Sequence, residues 1–187
     1  MARVFVITGP SGVGKGTLIR GLMERLGGQA QLELSVSATT RAPRPGEVDG
    51  IHYHFLTRDE FDRRVVAGDF VEHADYAGRS YGTLRSELDD RVRAGVPVVL
   101  EIEVQGARQV RGAMPEAVQV FVAPPSLAAL RTRLIARGTD DALEVERRLQ
   151  VAEQELTAQP EFGHVVVNDR LDDALDRLTE IVSAELD

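Results

Sequence analysis

Residues 3–17, RVFVITGPSGVGKGT, pass from four consecutive apolar side chains into a glycine-spaced turn that closes on a lysine. Val4, Phe5, Val6 and Ile7 in a row suit a strand buried on both faces, as in a parallel sheet covered by helices. Gly9-Pro10-Ser11-Gly12-Val13-Gly14-Lys15 fits G-x-x-x-x-G-K in the setting that pattern requires, after a strand and at the start of a helix. Glycines there let successive backbone N–H groups turn inward as a nest for phosphate oxygens, and the helix N-terminus adds partial positive charge. Lys15 is the only lysine; the other 21 of the 22 basic residues are arginines. A compact ammonium on a flexible stem reaches β- and γ-phosphates where a planar guanidinium is too bulky, so the position itself demands the exception. The hydroxyl that ordinarily follows this lysine is displaced by one residue, Gly16 preceding Thr17, which leaves Thr17 either a phosphate ligand or a metal ligand. A dinucleotide fingerprint fails, because Thr17 occupies its third glycine position.

Beyond the loop, the chain alternates strand-like and helix-like runs. Strands are expected at Arg3–Thr8, Leu32–Val36, Val98–Glu103, Val118–Ala123 and His164–Val167. Helices are expected at Lys15–Leu26, Asp59–Ala67, Leu84–Ala94, Gln105–Arg111, Leu127–Ala136, Leu143–Ala158 and Leu171–Leu186. That order implies βαβ units and an α/β, doubly wound, mostly parallel five-stranded sheet. Residues 35–83 break the rhythm with Gly, Pro, Arg and aromatic residues, and are read as an inserted lobe. With 187 residues the chain can bury one core carrying such an insertion. It has no cysteine, which excludes disulfides, thiolate metal sites and a thiol nucleophile together. A formal net charge of −8 argues against nucleic acid as a partner, since backbone neutralisation needs a basic face. No apolar run approaches a membrane span or a signal sequence, so a cytoplasmic protein without a membrane partner is expected. The sequence sets no oligomeric state.

The insert carries its own chemistry. Arg41 and Arg44 stand three residues apart, stiffened by Pro43, with Tyr53 and Tyr81 farther on. Fixed guanidiniums and phenol hydroxyls suit an oxyanion with several acceptors, such as a monophosphate. Val98–Glu103 ends in Glu101 and Glu103, two apart and so on one face, where ligands of open α/β sheets gather. Arg133 and Arg137 are one helical turn apart, and Arg148 lies beyond the loop 138–142.

These features together resemble the guanylate kinase family. The likeness runs from the phosphate loop through Ser37-Ala38-Thr39-Thr40-Arg41, Pro43-Arg44, Gly46-Glu47-Val48, Gly50, Tyr53, Phe55, Glu72 and Tyr81-Gly82. It continues through Leu100-Glu101-Ile102, Gln105-Gly106, Arg137-Gly138-Thr139, Arg148-Leu149 and Val167-Asn168-Asp169. The resemblance implies a P-loop NTPase-type core at 1–34, 84–125 and 159–187, a GMP-binding insert at 35–83 and a helical lid region at 126–158. It implies Mg²⁺-dependent transfer of the ATP γ-phosphate to GMP or dGMP, with ATP and GMP as the partners. Gly9, Pro10, Ser11, Gly12, Val13, Gly14, Lys15, Gly16 and Thr17 would hold ATP together with Arg133, Arg137 and Asn168. Ser37, Arg41, Arg44, Tyr53, Glu72, Tyr81, Gly82, Thr83 and Glu103 would hold GMP, Glu72 accepting from guanine N1–H and the exocyclic amine. Lys15, Arg41, Arg137 and Arg148 would act in catalysis, with Thr17 and Glu101 the candidate metal contacts, largely through phosphates and water. Non-catalytic peptide-binding modules share this fold, but Lys15, Arg41, Arg44, Arg137 and Arg148 favour the enzyme. The four histidines lack H-E-x-x-H spacing, and neither G-x-S-x-G nor protein-kinase signatures occur.

Overall fold

In the computed structural model the apolar run after Arg3 forms the central strand of a parallel sheet. Residues 3–30, 32–76, 78–136, 138 and 141–186 are described, with only the backbone over 27–30. The core strands are β1 (Val4–Thr8), β2 (Glu33–Leu34), β7 (Val98–Glu101), β8 (Val118–Ala123) and β9 (His164–Val167), in spatial order β2-β7-β1-β8-β9. All four pairings are parallel, so every carboxyl end lies along one edge.

Side-chain alternation along β1 divides the core into two layers. Phe5 and Ile7 face α1 (Lys15–Ala30), α5 (Leu127–Ala136), α6 (Ala142–Leu156) and α7 (Leu171–Leu186), packing against Leu18, Leu130, Val145 and Leu178. Val4 and Val6 face α3 (Arg85–Arg93) and α4 (Val104–Ala113), with Leu88, Val104, Ala107 and Phe121. The crossovers thus leave β1 and β7 toward opposite faces, which opens a crevice at their carboxyl ends.

The insert is more regular than its sequence suggests. Strands β3 (Ala38–Thr39), β4 (His54–Phe55), β5 (Phe70–Tyr76) and β6 (Arg79–Leu84) form a second sheet, ordered β4-β3-β6-β5, beside α2 (Arg58–Ala67). Its own small core is Ala38, Phe61, Phe70 and Leu84. Two-residue strands carry no readable period, and β5 shows buried-exposed alternation only after three buried residues in a row. Thr57 caps α2 by accepting from Glu60 N–H, and Gly68, at φ 75°, ends it.

Some boundaries differ from expectation for local reasons. β7 stops at Glu101 because Glu103 is already the N-cap of α4, in extended conformation. β2 shrinks to two residues at the sheet's edge, where Glu33 and Leu34 are exposed. Its pairing nevertheless extends through Glu33 N–H to Pro97 O at 3.0 Å and Ser35 N–H to Val99 O at 2.9 Å.

Phe121 is fully enclosed between the sheet and Phe162, with ring centroids 5.2 Å apart. Phe121→Ala should cost about 3–5 kcal/mol of folding free energy in chemical denaturation, the range for emptying an aromatic site.

Candidate active site

The phosphate-loop segment lies between β1 and α1, at the crevice. Gly9, Gly12 and Gly14 adopt φ of 138°, 84° and 101°. At Gly14 both conformation and space are restrictive, since a Cβ there would lie 2.5 Å from Asn168 Nδ2. Leu18 N–H donates to Gly14 O at 3.1 Å, starting the helix directly behind the loop. Lys15 is 7% exposed, and its Nζ donates to Gly9 O and, at 3.3 Å, to Pro10 O. The ammonium is therefore folded against the turn it belongs to.

Two residues distant in sequence brace this loop. Buried Asn168, just past β9, donates Nδ2–H to Val13 O at 2.9 Å, while its own N–H donates to Ala123 O at 2.8 Å. Arg133 on α5 donates to the same Val13 O at 3.3 Å and to Asn168 O at 2.7 Å. The structure thus gives Arg133 a place against the loop's backbone carbonyls. Arg137, one turn on, lies outside the described residues.

In the insert, Arg41 donates from Nη2 to Glu47 Oε1 at 2.8 Å, and Arg44 N–H donates to Glu47 Oε2 at 2.7 Å. Glu47 is a residue for which sequence reasoning assigned no role. Its carboxyl is held down at about 2 by Arg41 first, then by the Arg44 amide. The Arg41 guanidinium also stands 5.2 Å from the Tyr53 ring centroid, and Tyr53 meets Tyr81 edge-on at 6.2 Å. Burial raises the Tyr53 phenol's pKa, and the Glu101 charge raises it further. Arg41, Tyr53 and Tyr81 therefore gather where the insert faces the end of β7. Arg44, in the same turn, has an exposed side chain.

Glu72 on β5 is 3% exposed and accepts a hydrogen bond from Thr83 Oγ1 at 2.8 Å. Burial pushes its pKa up to about 7; Thr83 pulls it back, and the Glu103 charge adds to the rise. Gly82, beside Thr83, is buried where a Cβ would meet Glu72 O and the Phe70 ring, each at 2.8 Å. Ser37 precedes β3 and contributes its carbonyl, which accepts from His54 N–H at 2.9 Å.

At the end of β7, Glu101 opens onto the cleft, yet enough protein surrounds it for burial to raise its pKa, against the pull of Lys15. Gly16 lies alongside: a Cβ on it would be 3.7 Å from Glu101 Oε1. Thr17, exposed at the first turn of α1, follows it. Among the described residues no three His, Cys, Asp or Glu side chains converge as a metal cage. One accessible carboxylate beside a phosphate loop instead fits Mg²⁺ carried in on nucleotide phosphates.

Glu155 was not expected from the sequence. It reaches from α6 to Glu103, and neither Glu103 Oε2 nor Glu155 Oε2 has a donor among the described residues, although both atoms are buried. Burial and then the charge of Glu103 push the Glu155 carboxyl well above the ordinary carboxylate range. A sequence signal exists: Val145, Ala152 and partly buried Leu149 and Leu156 mark the inward stripe of α6. Arg148 and Glu155 fall on that stripe, where charge is unusual. Arg148 pairs with Glu144 at 3.3 Å and lines a cleft with Asp75, Tyr76, Arg147 and Val151. Burial raises the pKa of the Tyr76 phenol at the end of β5, and the Ser11 side chain in the loop opposes that rise.

A glycine-lined loop between β1 and α1, beside a carboxylate at the next strand's end, defines a P-loop nucleotide-binding protein. The arginine-bearing insert with a buried acid narrows this class to enzymes that handle a second, smaller phosphate ester. The guanylate kinase family model matches residues 1–185. Guanylate kinases from Synechococcus sp. and Frankia casuarinae are 53% and 52% identical, over 95% of this chain and 92% and 95% of theirs. The crystal structure of guanylate kinase from Anaplasma phagocytophilum superposes with a TM-score of 0.80 at 34% identity, covering 99% of this chain and 86% of that one. The chain belongs to the guanylate kinase family, whose reaction is ATP:GMP phosphotransfer.

Because the folded state holds a proton on Glu72 up to about pH 7, while an unfolded carboxyl releases it near the ordinary 4.5, folding takes up a proton between those limits. Glu72 therefore costs stability increasingly as pH rises through that window, by up to roughly 3 kcal/mol. Glu72→Gln, which cannot ionise, should gain on wild type between pH 5 and pH 8 in urea titrations.

Proposed function

We propose that this chain transfers the γ-phosphoryl group of Mg²⁺-bound ATP to the phosphate of GMP, with dGMP as a second acceptor, by direct in-line displacement. In this reading 35–83 is the acceptor lobe, 126–158 the lid, and 1–34, 84–125 and 159–187 the donor-binding core. The observation that carries it is an unbroken run of interacting charges. Lys15 acts on Glu101, Glu101 neighbours Glu103, and Glu103 acts on buried Glu72. Phosphate-binding and base-reading groups thus lie along one cleft, as a donor and an acceptor nucleotide meeting end to end require.

Each residue's part follows from its chemistry. The loop N–H groups and Lys15 hold the donor's β- and γ-phosphates, and Asn168 and Arg133 keep the loop in its receiving shape. Arg41, Arg44, Tyr53 and Tyr81 fix the GMP phosphate, Glu47 orienting Arg41 before the substrate arrives. Glu72, ionised, accepts the two donors on guanine's Watson–Crick edge, with Thr83 and Ser37 beside it, Gly82 leaving room for the Glu72 backbone and the Phe70 ring, and Gly106 leaving room for the carboxylate. Adenine offers no such donor pair and would set a ring lone pair against the carboxylate, so AMP is rejected. Glu103, next to Glu72, faces the nucleoside.

A GMP phosphate oxygen forms the new bond to the γ-phosphorus as the bond to the β,γ-bridging oxygen breaks, leaving ADP and GDP. GMP is already ionised, so no general base is required; the enzyme supplies position and cancels repulsion between anions. Mg²⁺, held by the phosphates with Glu101 and Thr17 reaching it directly or through water, would neutralise charge on the transferring group. Arg148 and Arg137, brought in from the lid region, complete that neutralisation, a contribution of about 10³–10⁵ in rate where such arginines have been removed.

An ADP-release assay with GMP, dGMP, AMP, UMP and CMP tests this reading: GMP and dGMP should turn over, and equal use of AMP would overturn it. Lys15→Ala and Arg148→Ala should each lose most of the rate with the fold intact by circular dichroism. Glu72→Ala should abolish the preference for GMP over AMP. Because guanine's donors favour the ionised carboxylate, GMP binding near pH 7 should release a proton. Calorimetry in buffers of different ionisation enthalpy would show it, and Glu72→Gln would not.

A further inference from the structure

Glu72 reaches its place through an irregularity in β5. Between β5 and β6 the register pairs Phe70 with Leu84 and then Glu72 with Thr83, so the extra residue, Val71, is a β-bulge. Strand alternation would send Val71 and Glu72 to opposite faces. With the bulge, both meet α4. Val71 packs among Val104, Ala107 and Val110, and the Glu72 carboxylate lies against Gly106, where a Cβ would stand 2.2 Å from Oε2. Gly106 thus leaves space for the carboxylate, but space alone does not fix its position.

One turn farther along α4, Gln109 makes two hydrogen bonds to a single residue of β5. Its Oε1 accepts from His73 N–H at 3.1 Å, and its Nε2–H donates to His73 O at 2.6 Å. β5 is an edge strand, with β6 as its sole strand partner among the described residues. The amide of Gln109 therefore acts as a one-residue neighbouring strand, satisfying both outward backbone groups next to Glu72. It also joins the donor-binding core, to which α4 belongs, to the acceptor lobe that carries β5.

We infer that Gln109 is a positioning residue for purine recognition, clamping the bulged segment of β5 so that Glu72 presents its carboxylate to the acceptor base at a fixed height along α4. This rests on the assignment of Glu72 as the base-reading residue. Two bonds to backbone, each partly open to solvent, suit a role in alignment more than in holding the fold together.

The test is Gln109→Met, which keeps the side chain's length and removes both bonds. KM for GMP should rise about tenfold, the scale of one to two ordinary hydrogen bonds. KM for ATP should stay within twofold, kcat should change less than KM for GMP, and the GMP-over-AMP ratio of kcat/KM should fall. Introduced into Glu72→Ala, the same substitution should produce no further change in that ratio, because its effect passes through Glu72. A lowered melting temperature with KM for GMP and the base ratio unchanged would overturn the inference, as would equal effects in the two backgrounds. If Glu72→Ala itself left the preference for GMP intact, the assignment of Glu72 would fail instead, which separates the two claims.

Discussion

The cleft concentrates acids around one ammonium. Glu101, Glu103 and Glu155 lie within electrostatic reach of one another or of Lys15, and Glu72 adjoins Glu103. A site for two polyanions built this way would repel its substrates if every carboxyl were charged. Burial resolves the conflict. It raises Glu155 and Glu72 above the ordinary carboxylate range, so that protons neutralise part of the charge, while Glu101 keeps the company of Lys15. In the proposed function the remaining negative charge is matched to particular donors: a purine edge, a nucleoside and a phosphate-bound cation. The cationic groups stay at the two ends, Lys15 in its loop and Arg41 in the insert, where anionic oxygens belong.

That separation depends on the sheet. Since β1, β7, β8 and β9 are parallel, the loop, Glu101 and Asn168 emerge along one edge although they are distant in sequence. Two crossovers to opposite faces keep this edge open in the middle. The insert, with its own sheet and its own small core, then closes one side of the crevice without interrupting the β1–β7 pairing.

How much of this was legible beforehand depended on the kind of pattern involved. The five core strands and the seven helices follow from apolar runs and helical periods that are long relative to noise, and they were read to within a few residues. The phosphate loop was legible because its glycines, lysine and setting form one constrained motif. The insert's sheet was not, since β3 and β4 are two residues long and the bulge in β5 breaks the period. Arg41 and Arg44 stood out by their spacing around Pro43, and Glu72 through family likeness, whereas neither Glu47, though part of that likeness, nor Glu155 could be given a role. Each owes its importance to a partner far from it in sequence or tucked into a turn, and an isolated acid in an acidic chain has no distinguishing signature. Arg133 illustrates the opposite limit: its type and helical phase suited a phosphate contact, and the structure sets it on Val13 and Asn168 carbonyls. Such second roles appear only when the backbone is placed.

Helix α4 begins with Glu103 at the mouth of the crevice and touches β5 at Gly106 and Gln109. Six residues of helix amount to about 9 Å of rise. The rod therefore works as a ruler between the strand-end acids and the bulged segment of β5, and its gradations are whole residues. Such a ruler is stiff where loops are elastic, so the spacing from Glu103 to the segment that carries Glu72 is set by helical rise and not by a hinge.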